Sequence, residues 1–173
     1  MAKLELSDVN KAKIQVMMNR YSTYKSFSSS VNHKQVLDLL IQGCNGFCPF
    51  TGVFYPERKF SIEHFHWRQA DNKENDLNID NLYPCCLDAN VSTKQNKLTL
   101  DPKDVNYVDR LYFDPNDFKI KAKNLNDKEA EATIKQFSLD KSNQIQDFRL
   151  SMFVRKTILR ENFGDKYSFS EYF

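Results

Sequence analysis

The sequence predicts an α+β fold in which helices dominate, because the spacing of its apolar residues changes along the chain. Near both ends, apolar residues recur three to four positions apart, as they do in helices. Short stretches between them alternate apolar and polar residues, which is typical of strands. We divide the 173 residues into an N-terminal helical segment (1–43), a middle part with turns and short strands (44–103), and a C-terminal part with a hairpin and helices (104–173).

Two helices are predicted in the N-terminal segment. Ser7 belongs to the residue types that cap a helix N-terminus, so the first helix should begin there. The second helix should follow the serines at 28–30 and end at Gly43, because glycine commonly terminates helices. The apolar positions of these two helices are Val9, Ile14, Val16, Met17, Met18, Val36, Leu37, Leu39, Leu40 and Ile41.

Two short strands and an exposed helix are predicted in the middle part. Residues 59–65 alternate apolar and polar side chains, as a half-buried strand does. Asn81 opens a second short stretch of strand character, which ends near Cys85. Residues 88–98 are polar with a thin apolar face, which indicates an exposed helix.

A hairpin and two helices are predicted in the C-terminal part. Residues 110–113 and 118–122 flank a turn that contains proline, asparagine and aspartate, so they should pair as a hairpin. Ala130, Ile134 and Phe137 lie on one side of the helix that follows. The apolar stripe of the last helix comprises Ile145, Phe148, Met152 and Leu159, widened by Leu150, Phe153, Val154 and Ile158.

Composition excludes several function classes. No apolar run approaches the roughly 18 residues of a membrane span, so we expect no membrane partner. The N-terminus lacks the apolar stretch of a secretory signal, so we expect a cytoplasmic protein. The four glycines form neither a P-loop nor a GxGxxG turn. The net charge of +2 is too small to indicate nucleic-acid binding by itself.

Five polar or charged residues of the middle part have the spacing of a hydrolytic site. Glu63 and His64 offer a carboxylate ligand for a hard cation beside an imidazole that can act as a general base. Asn81 can tie down the loop between the strands by hydrogen bonds to backbone. Asn90 offers an amide oxygen as a second metal ligand, and Lys94 can position a phosphate. One metal ion, one base and one phosphate-binding lysine are what phosphodiester hydrolysis requires.

The motifs IEHF at 62–65, DNLYPCC at 80–86 and AN…K at 89–94 resemble those of the HNH endonuclease family. The resemblance implies a ββα-metal core, in which a hairpin and a helix surround one divalent cation, Mg²⁺ or Mn²⁺. It implies that His64 is the general base and that Asn81 fixes the loop. It also implies that Glu63 and Asn90 are the metal ligands.

Several residues near these motifs are further candidates for binding. His66 is an extra imidazole close to the candidate metal ligands, and its role stays open. Lys94, Lys97 and Arg68 are the candidate contacts to nucleic acid. Taken alone, however, Lys94, Lys97 and Lys103 indicate only a solvated face.

The similarity extends over roughly residues 34–160 and includes YVDRLYFDPNDFKIKA, EATIKQFSLD and Arg149. With these segments the chain is similar to the retron- and Septu-associated HNH proteins of bacterial anti-phage defence. That similarity implies an effector nuclease that works beside an ABC-type or RecF-like ATPase. DNA is the first expected substrate, and RNA such as tRNA is the alternative.

All four cysteines, Cys44, Cys48, Cys85 and Cys86, lie in the middle part. Many HNH proteins bind a structural zinc with two CxxC pairs, but here each pair lacks one cysteine. Adjacent residues of a strand point to opposite faces, so Cys85 and Cys86 should not face one ion together. We therefore expect buried thiols rather than structural Zn²⁺.

Two other interpretations stay open. A degraded HNH module would bind nucleic acid or a partner protein without cleaving. The incomplete cysteine pairs favour that interpretation, whereas the intact Glu63, His64 and Asn90 oppose it. In the third interpretation, the chain is a plain interaction protein whose Glu-His pair is only surface. The middle part has seven basic and eight acidic residues, so under the nuclease interpretation we expect a partner to supply most of the grip on nucleic acid.

Overall fold

The computed structural model describes residues 4–52, 54, 59–65, 76–87, 100–104, 106–114, 116–117, 119–137 and 139, together with 150, 154, 157, 158 and 161. In chain order the elements are α1 (Asp8–Met18), α2 (Tyr24–Ser28), α3 (Val31–Gln42), β1 (Phe60–His64), a short 3-10 helix (Ile79–Asn81), β2 (Leu82–Cys86), α4 (Tyr107–Arg110), β3 (Leu111–Asp114), β4 (Lys119–Ala122) and α5 (Lys128–Gln136). The fold is mixed α+β, as predicted, and its described helices hold more residues than its described strands.

The predicted N-terminal helices begin and end close to the predicted residues. The Ser7 hydroxyl accepts a hydrogen bond from the N–H of Asn10 at 3.2 Å, which caps α1. Gly43 follows the last residue of α3, and its N–H donates to the carbonyl of Leu39 at 3.1 Å. No sequence pattern predicts α2, because a helix of five residues is too short to show periodicity.

The apolar residues of α1 lie on two sides of the helix. Val9 and Val16 are exposed, whereas Ile14 and Met18 are buried. The buried pair is spaced by four residues and defines the side of α1 that faces the core, so the two valines lie on the solvent side.

The first hairpin, β1–β2, forms an antiparallel sheet as predicted. Phe60 faces Cys86 at one end of the ladder, and His64 faces Leu82 at the other. The expectation of a half-buried strand is wrong for β1, because its polar residues Glu63 and His64 are buried as well. Helix α3 packs against both strands, and a ring from α2 lies on His64.

The second hairpin, β3–β4, also has the predicted pairing, with Leu111 facing Ala122 and Asp114 facing Lys119. Helix α5 packs on β4. As predicted, the side of α5 that carries Ala130, Ile134 and Phe137 turns toward the core: the first and last are buried and Ile134 is partly buried.

The buried side chains of the middle and C-terminal parts belong to one core. Phe50 stacks on Phe137 with ring centroids 4.1 Å apart, and the hydroxyl of the buried Tyr107 donates to the carbonyl of Pro49 at 3.0 Å. The main-chain N–H of Leu100 donates to the hydroxyl of Thr133 at 2.7 Å. These contacts join the middle part to the C-terminal part.

The last predicted helix is described at five helical residues, all of which are exposed: Leu150, Val154, Thr157, Ile158 and Glu161. The prediction that Leu150, Val154 and Ile158 widen a buried stripe is therefore wrong, since they lie on the solvent side. The rest of that stripe and the predicted helix at 88–98 lie outside the described residues. Among the helices of the described ranges, none is both long and apolar enough to cross a membrane.

Candidate functional site

The first hairpin brings three of the predicted site residues together. Glu63 and His64 are the last two residues of β1, and Asn81 is the residue before β2. Because the strands are antiparallel, the end of β1 lies beside the start of β2, and His64 pairs with Leu82. The N–H of Phe65 donates to the carbonyl of Asn81 at 3.0 Å, so the ladder extends one step beyond His64.

The three side chains are buried at this end of the hairpin. Glu63 is 1% exposed, Asn81 3% and His64 7%. Burying a carboxylate or an imidazole costs free energy unless neighbouring groups compensate. Polar side chains concentrated in such a place are therefore candidates for chemistry rather than for folding stability.

The hydrogen bond of His64 fixes which ring nitrogen carries the proton. Its Nε2 lies 3.0 Å from the carbonyl oxygen of Asp76. A carbonyl oxygen only accepts, so Nε2 must donate, and in the neutral imidazole the lone pair is then on Nδ1. The backbone at Asp76 thus selects the tautomer, as a carbonyl does for many functional histidines.

An aromatic side chain from the N-terminal segment also contacts His64. The ring of Tyr24, the first residue of α2, lies edge-to-face on the imidazole with a centroid distance of 4.3 Å and an interplanar angle of 79°. The candidate site is therefore built from the first hairpin and from α2, not from the middle part alone.

Two sets of hydrogen bonds hold the turn that carries Asn81. Within it, the Asn78 side chain accepts from the N–H of Asp80 at 2.9 Å, and the Asn78 carbonyl accepts from the N–H of Asn81 at 2.9 Å. From outside, the ammonium of Lys103 donates to the carbonyls of Ile79 at 3.3 Å and Asp80 at 2.7 Å. The predicted loop-fixing position is thus held through main-chain atoms around Asn81.

Lys103 differs from what the sequence indicates for it. Its ammonium lies 4.4 Å from the centre of the buried Tyr83 ring, which is a cation–π contact, and the Tyr83 hydroxyl donates to Asp101. Burial lowers the pKa of Lys103, although Asp80 and Asp101 oppose that shift. The interpretation of Lys103 as part of a solvated face is wrong, because its ammonium donates hydrogen bonds to main-chain carbonyls of the Asn81 turn.

At the other end of the same hairpin, the four cysteines are all reduced and fully buried. The main-chain N–H of Cys86 donates to the sulfur of Cys48 at 3.4 Å, and the Thr51 hydroxyl lies 3.3 Å from the sulfur of Cys86. The thiol of Cys85 donates to the main-chain carbonyl of Cys86 at 3.5 Å. Cys44 is close enough to interact electrostatically with Cys48.

Cys86 is the last residue of β2 and pairs with Phe60 in the ladder. Because the sulfur of Cys48 accepts from its main-chain N–H, Cys48 packs directly on this end of β2.

The four thiols differ in acidity because of these contacts. Burial opposes ionisation of Cys48, but hydrogen bonds from Cys85, Cys86 and Thr51 lower the pKa of Cys48 well below its usual value. Burial raises the pKa of Cys44 and of Cys85, and the hydrogen bond to Cys48 raises the pKa of Cys86 to about 12.

The remaining predicted site residues, His66, Arg68, Asn90, Lys94 and Lys97, lie outside the described residues. Within the described ranges, no three His, Cys, Asp or Glu side chains are grouped to hold a metal ion. Glu63 supplies one hard oxygen donor of the kind that Mg²⁺ prefers, so its chemistry fits the implied cation.

Sequence reasoning misses two residues of this site, Tyr24 and Lys103. Tyr24 and Phe27 are spaced by three residues, which indicates one helical face, but that spacing does not indicate a contact with His64. Lys103 has no local signal at all, since its partners Ile79 and Asp80 lie more than twenty positions earlier.

Comparison with protein-family models, with curated proteins and with solved structures finds no match for this chain.

Proposed function

We propose that the chain is a metal-dependent HNH endonuclease that hydrolyses phosphodiester bonds of nucleic acid, as the effector of an anti-phage defence system. The observation that carries the proposal is the end of the first hairpin, where Glu63 and His64 lie beside Asn81 and are buried with it. The motif resemblance requires these three residues to lie together. They bring a carboxylate and an imidazole next to the hydrogen-bonded turn that carries Asn81.

In this proposal His64 is the general base. With Nε2–H donating to the Asp76 carbonyl, the proton of the attacking water goes to Nδ1. The water oxygen then forms a bond to phosphorus while the bond from phosphorus to the leaving sugar oxygen breaks. Asn81 holds the turn that keeps Asp76 and β2 in register with His64.

Glu63, together with Asn90, would hold the cation, and His66 is the candidate for a further ligand. When bound, Mg²⁺ or Mn²⁺ would stabilise negative charge on the leaving oxygen. Carboxylate and amide oxygens are hard donors, which suits either ion. Arg68, Lys94 and Lys97 are the proposed contacts to phosphates.

The test is a nicking assay on supercoiled plasmid with Mg²⁺, with Mn²⁺ and with a chelator, followed by the same assay on tRNA. We expect cutting that requires the divalent cation and stops when the chelator removes it. Cutting that persists in the chelator, or the absence of cutting on both substrates with either metal, would contradict the proposal.

The near-complete burial of Glu63 and His64 favours a second candidate function. A general base must reach a water next to the substrate phosphate, and these side chains are covered in this conformation. A chain that keeps them covered would be an adaptor that binds nucleic acid or a partner without cleaving. Binding of duplex or tRNA with no cutting would identify the adaptor.

The proposal includes a partner protein, an ATPase of the ABC or RecF-like type, which supplies most of the affinity for the nucleic-acid substrate. The net charge of the chain is only +2, and Lys103 is already bonded to main-chain carbonyls near the site. Affinity for nucleic acid grows with the number of phosphates neutralised, so few contacts give weak binding. Sub-micromolar binding by the isolated chain at about 150 mM salt would contradict this part.

A further inference from the structure

The aromatic cluster around His64 carries an inference about how the candidate base is oriented. Tyr24 lies between two imidazoles. Its ring contacts His64 at 4.3 Å, and its hydroxyl lies 3.4 Å from Nε2 of His33 in α3. The rings of Tyr24 and His33 also meet edge-to-face, with centroids 6.2 Å apart.

Tyr24 is held rigidly by the rest of the N-terminal segment. Thr23 caps α2 by accepting from the N–H of Ser26 at 3.2 Å. Phe27, one turn further along α2, is fully buried and packs against Tyr24 at 5.6 Å and against His33 at 5.4 Å. The phenol ring therefore has packing contacts besides the one with His64.

His33 is suited to hold the Tyr24 hydroxyl. Burial lowers the pKa of His33, so its imidazole is neutral near physiological pH and one ring nitrogen can accept the phenol proton. The contact ties the first residue of α2 to α3.

We propose that Tyr24 is a positioning residue for the candidate general base, with its ring fixing the imidazole plane of His64 while the Asp76 carbonyl fixes the tautomer. This rests on the proposed nuclease function. A hydrogen bond along Nε2–H by itself still permits rotation of the imidazole about its Cβ–Cγ bond. A ring contact on the imidazole restrains that rotation. General-base catalysis depends on such alignment, and a misplacement of about 1 Å can cost about 10²-fold in rate.

The test uses three variants. Tyr24→Leu removes the ring, whereas Tyr24→Phe keeps the ring and removes only the hydroxyl contact to His33. Tyr21→Leu is the matched control, because Tyr21 also packs on Phe27, at 5.6 Å, and precedes α2. Circular dichroism and thermal unfolding establish that each variant folds.

The first readout needs no activity. The carbon-bound imidazole protons of His64 are assigned by NMR with the aid of His64→Gln, and the ring current of Tyr24 displaces them. We expect Tyr24→Leu to move these resonances, and Tyr24→Phe and Tyr21→Leu to leave them near their wild-type positions. Unchanged His64 resonances in folded Tyr24→Leu would overturn the proposal.

The second readout is metal-dependent cutting. We expect Tyr24→Leu to lower kcat roughly 10- to 100-fold with KM little changed, and Tyr24→Phe to keep most of the wild-type kcat. A wild-type kcat in Tyr24→Leu overturns the positioning role and leaves the nuclease proposal intact. Absence of metal-dependent cutting in the wild-type chain itself overturns both.

Discussion

The two hairpins of this protein differ in whether their charged side chains are buried. In the first, β1–β2, the carboxylate of Glu63 and the imidazole of His64 are buried at the end of the ladder. In the second, β3–β4, the charges stay at the surface, where the ammonium of Lys121 lies 2.6 Å from a carboxylate oxygen of Asp114 and 2.8 Å from one of Asp117. Both hairpins have the same antiparallel topology, so topology does not decide where charge is placed.

The difference is consistent with the function proposed for the first hairpin. The hydrogen bonds of Lys121 lower the pKa of Asp114 and of Asp117, but such solvent-accessible pairs add little to stability because water screens them. Burying Glu63 and His64 is costly by comparison. A fold that only needed a second strand pair would place apolar residues there, as the second hairpin does with Leu111 and Ile120.

The largest effect is expected for Glu63→Gln. The amide keeps the shape of the side chain and removes its charge, so metal binding weakens and cutting falls by roughly two orders of magnitude or more at low Mg²⁺. Rate against Mg²⁺ and Mn²⁺ concentration is the measurement, and high metal should restore part of the rate. A variant with a lowered midpoint and full activity would reverse the functional interpretation of this hairpin.

A smaller effect, on stability alone, is expected for Cys48→Ala at the opposite end of the first hairpin. The substitution removes the sulfur that accepts from the buried N–H of Cys86, which should cost about 1–3 kcal/mol of unfolding free energy. Urea denaturation measures the loss, with Cys44→Ala as the comparison variant. Complete unfolding together with release of stoichiometric zinc would contradict the expectation of buried thiols without structural zinc.

An effect of about 1 kcal/mol is expected for Asp127→Asn, next to the second hairpin. Two nitrogens of Arg110 donate to the Asp127 carboxylate at 2.6 and 2.7 Å, and this lowers the pKa of Asp127. A carboxyl whose pKa is lower in the folded state stabilises the fold above its unfolded pKa of about 3.9, and the gain is lost as pH falls through the folded value.

The gap in unfolding free energy between wild type and Asp127→Asn should therefore be constant from neutral pH down to about pH 5 and shrink below about pH 4. Asparagine can still accept from the N–H of Ala130 and cap α5, so Asp127→Ala should cost more than Asp127→Asn at every pH. A gap that widens on acidification would have the wrong sign for this ion pair.

The smallest effect is expected for Lys121→Ala. It removes both ion pairs of the second hairpin, yet these are exposed, so neither cutting nor the thermal midpoint should change measurably. A large loss of activity would mean that the second hairpin also contributes to function.

The elements that the sequence predicts well are those with a local signal. Alternation in residues 59–65 and the start at Asn81 predict two separate strands, and the HNH resemblance implies that they pair as a hairpin. The antiparallel register then brings Glu63, His64 and Asn81 together. The contacts of Tyr24 with His64 and of Lys103 with the Asn81 turn join residues far apart in sequence. No periodicity encodes such contacts, because they depend on how complete elements pack.

The same limit applies to burial. Val16 is apolar, but α1 has only one buried side, which Ile14 and Met18 occupy, so Val16 lies on the solvent side. Position within the helix, rather than residue type, decides burial here.

The central claim, that the buried end of the first hairpin is a hydrolytic site, is tested most directly by comparing His64→Ala with Lys121→Ala in the metal-dependent nicking assay. Loss of a general base typically costs roughly 10²–10⁴-fold in rate, so His64→Ala should be nearly inactive while circular dichroism shows it folded, and Lys121→Ala should cut like wild type. Equal cutting by wild type and His64→Ala would contradict the account.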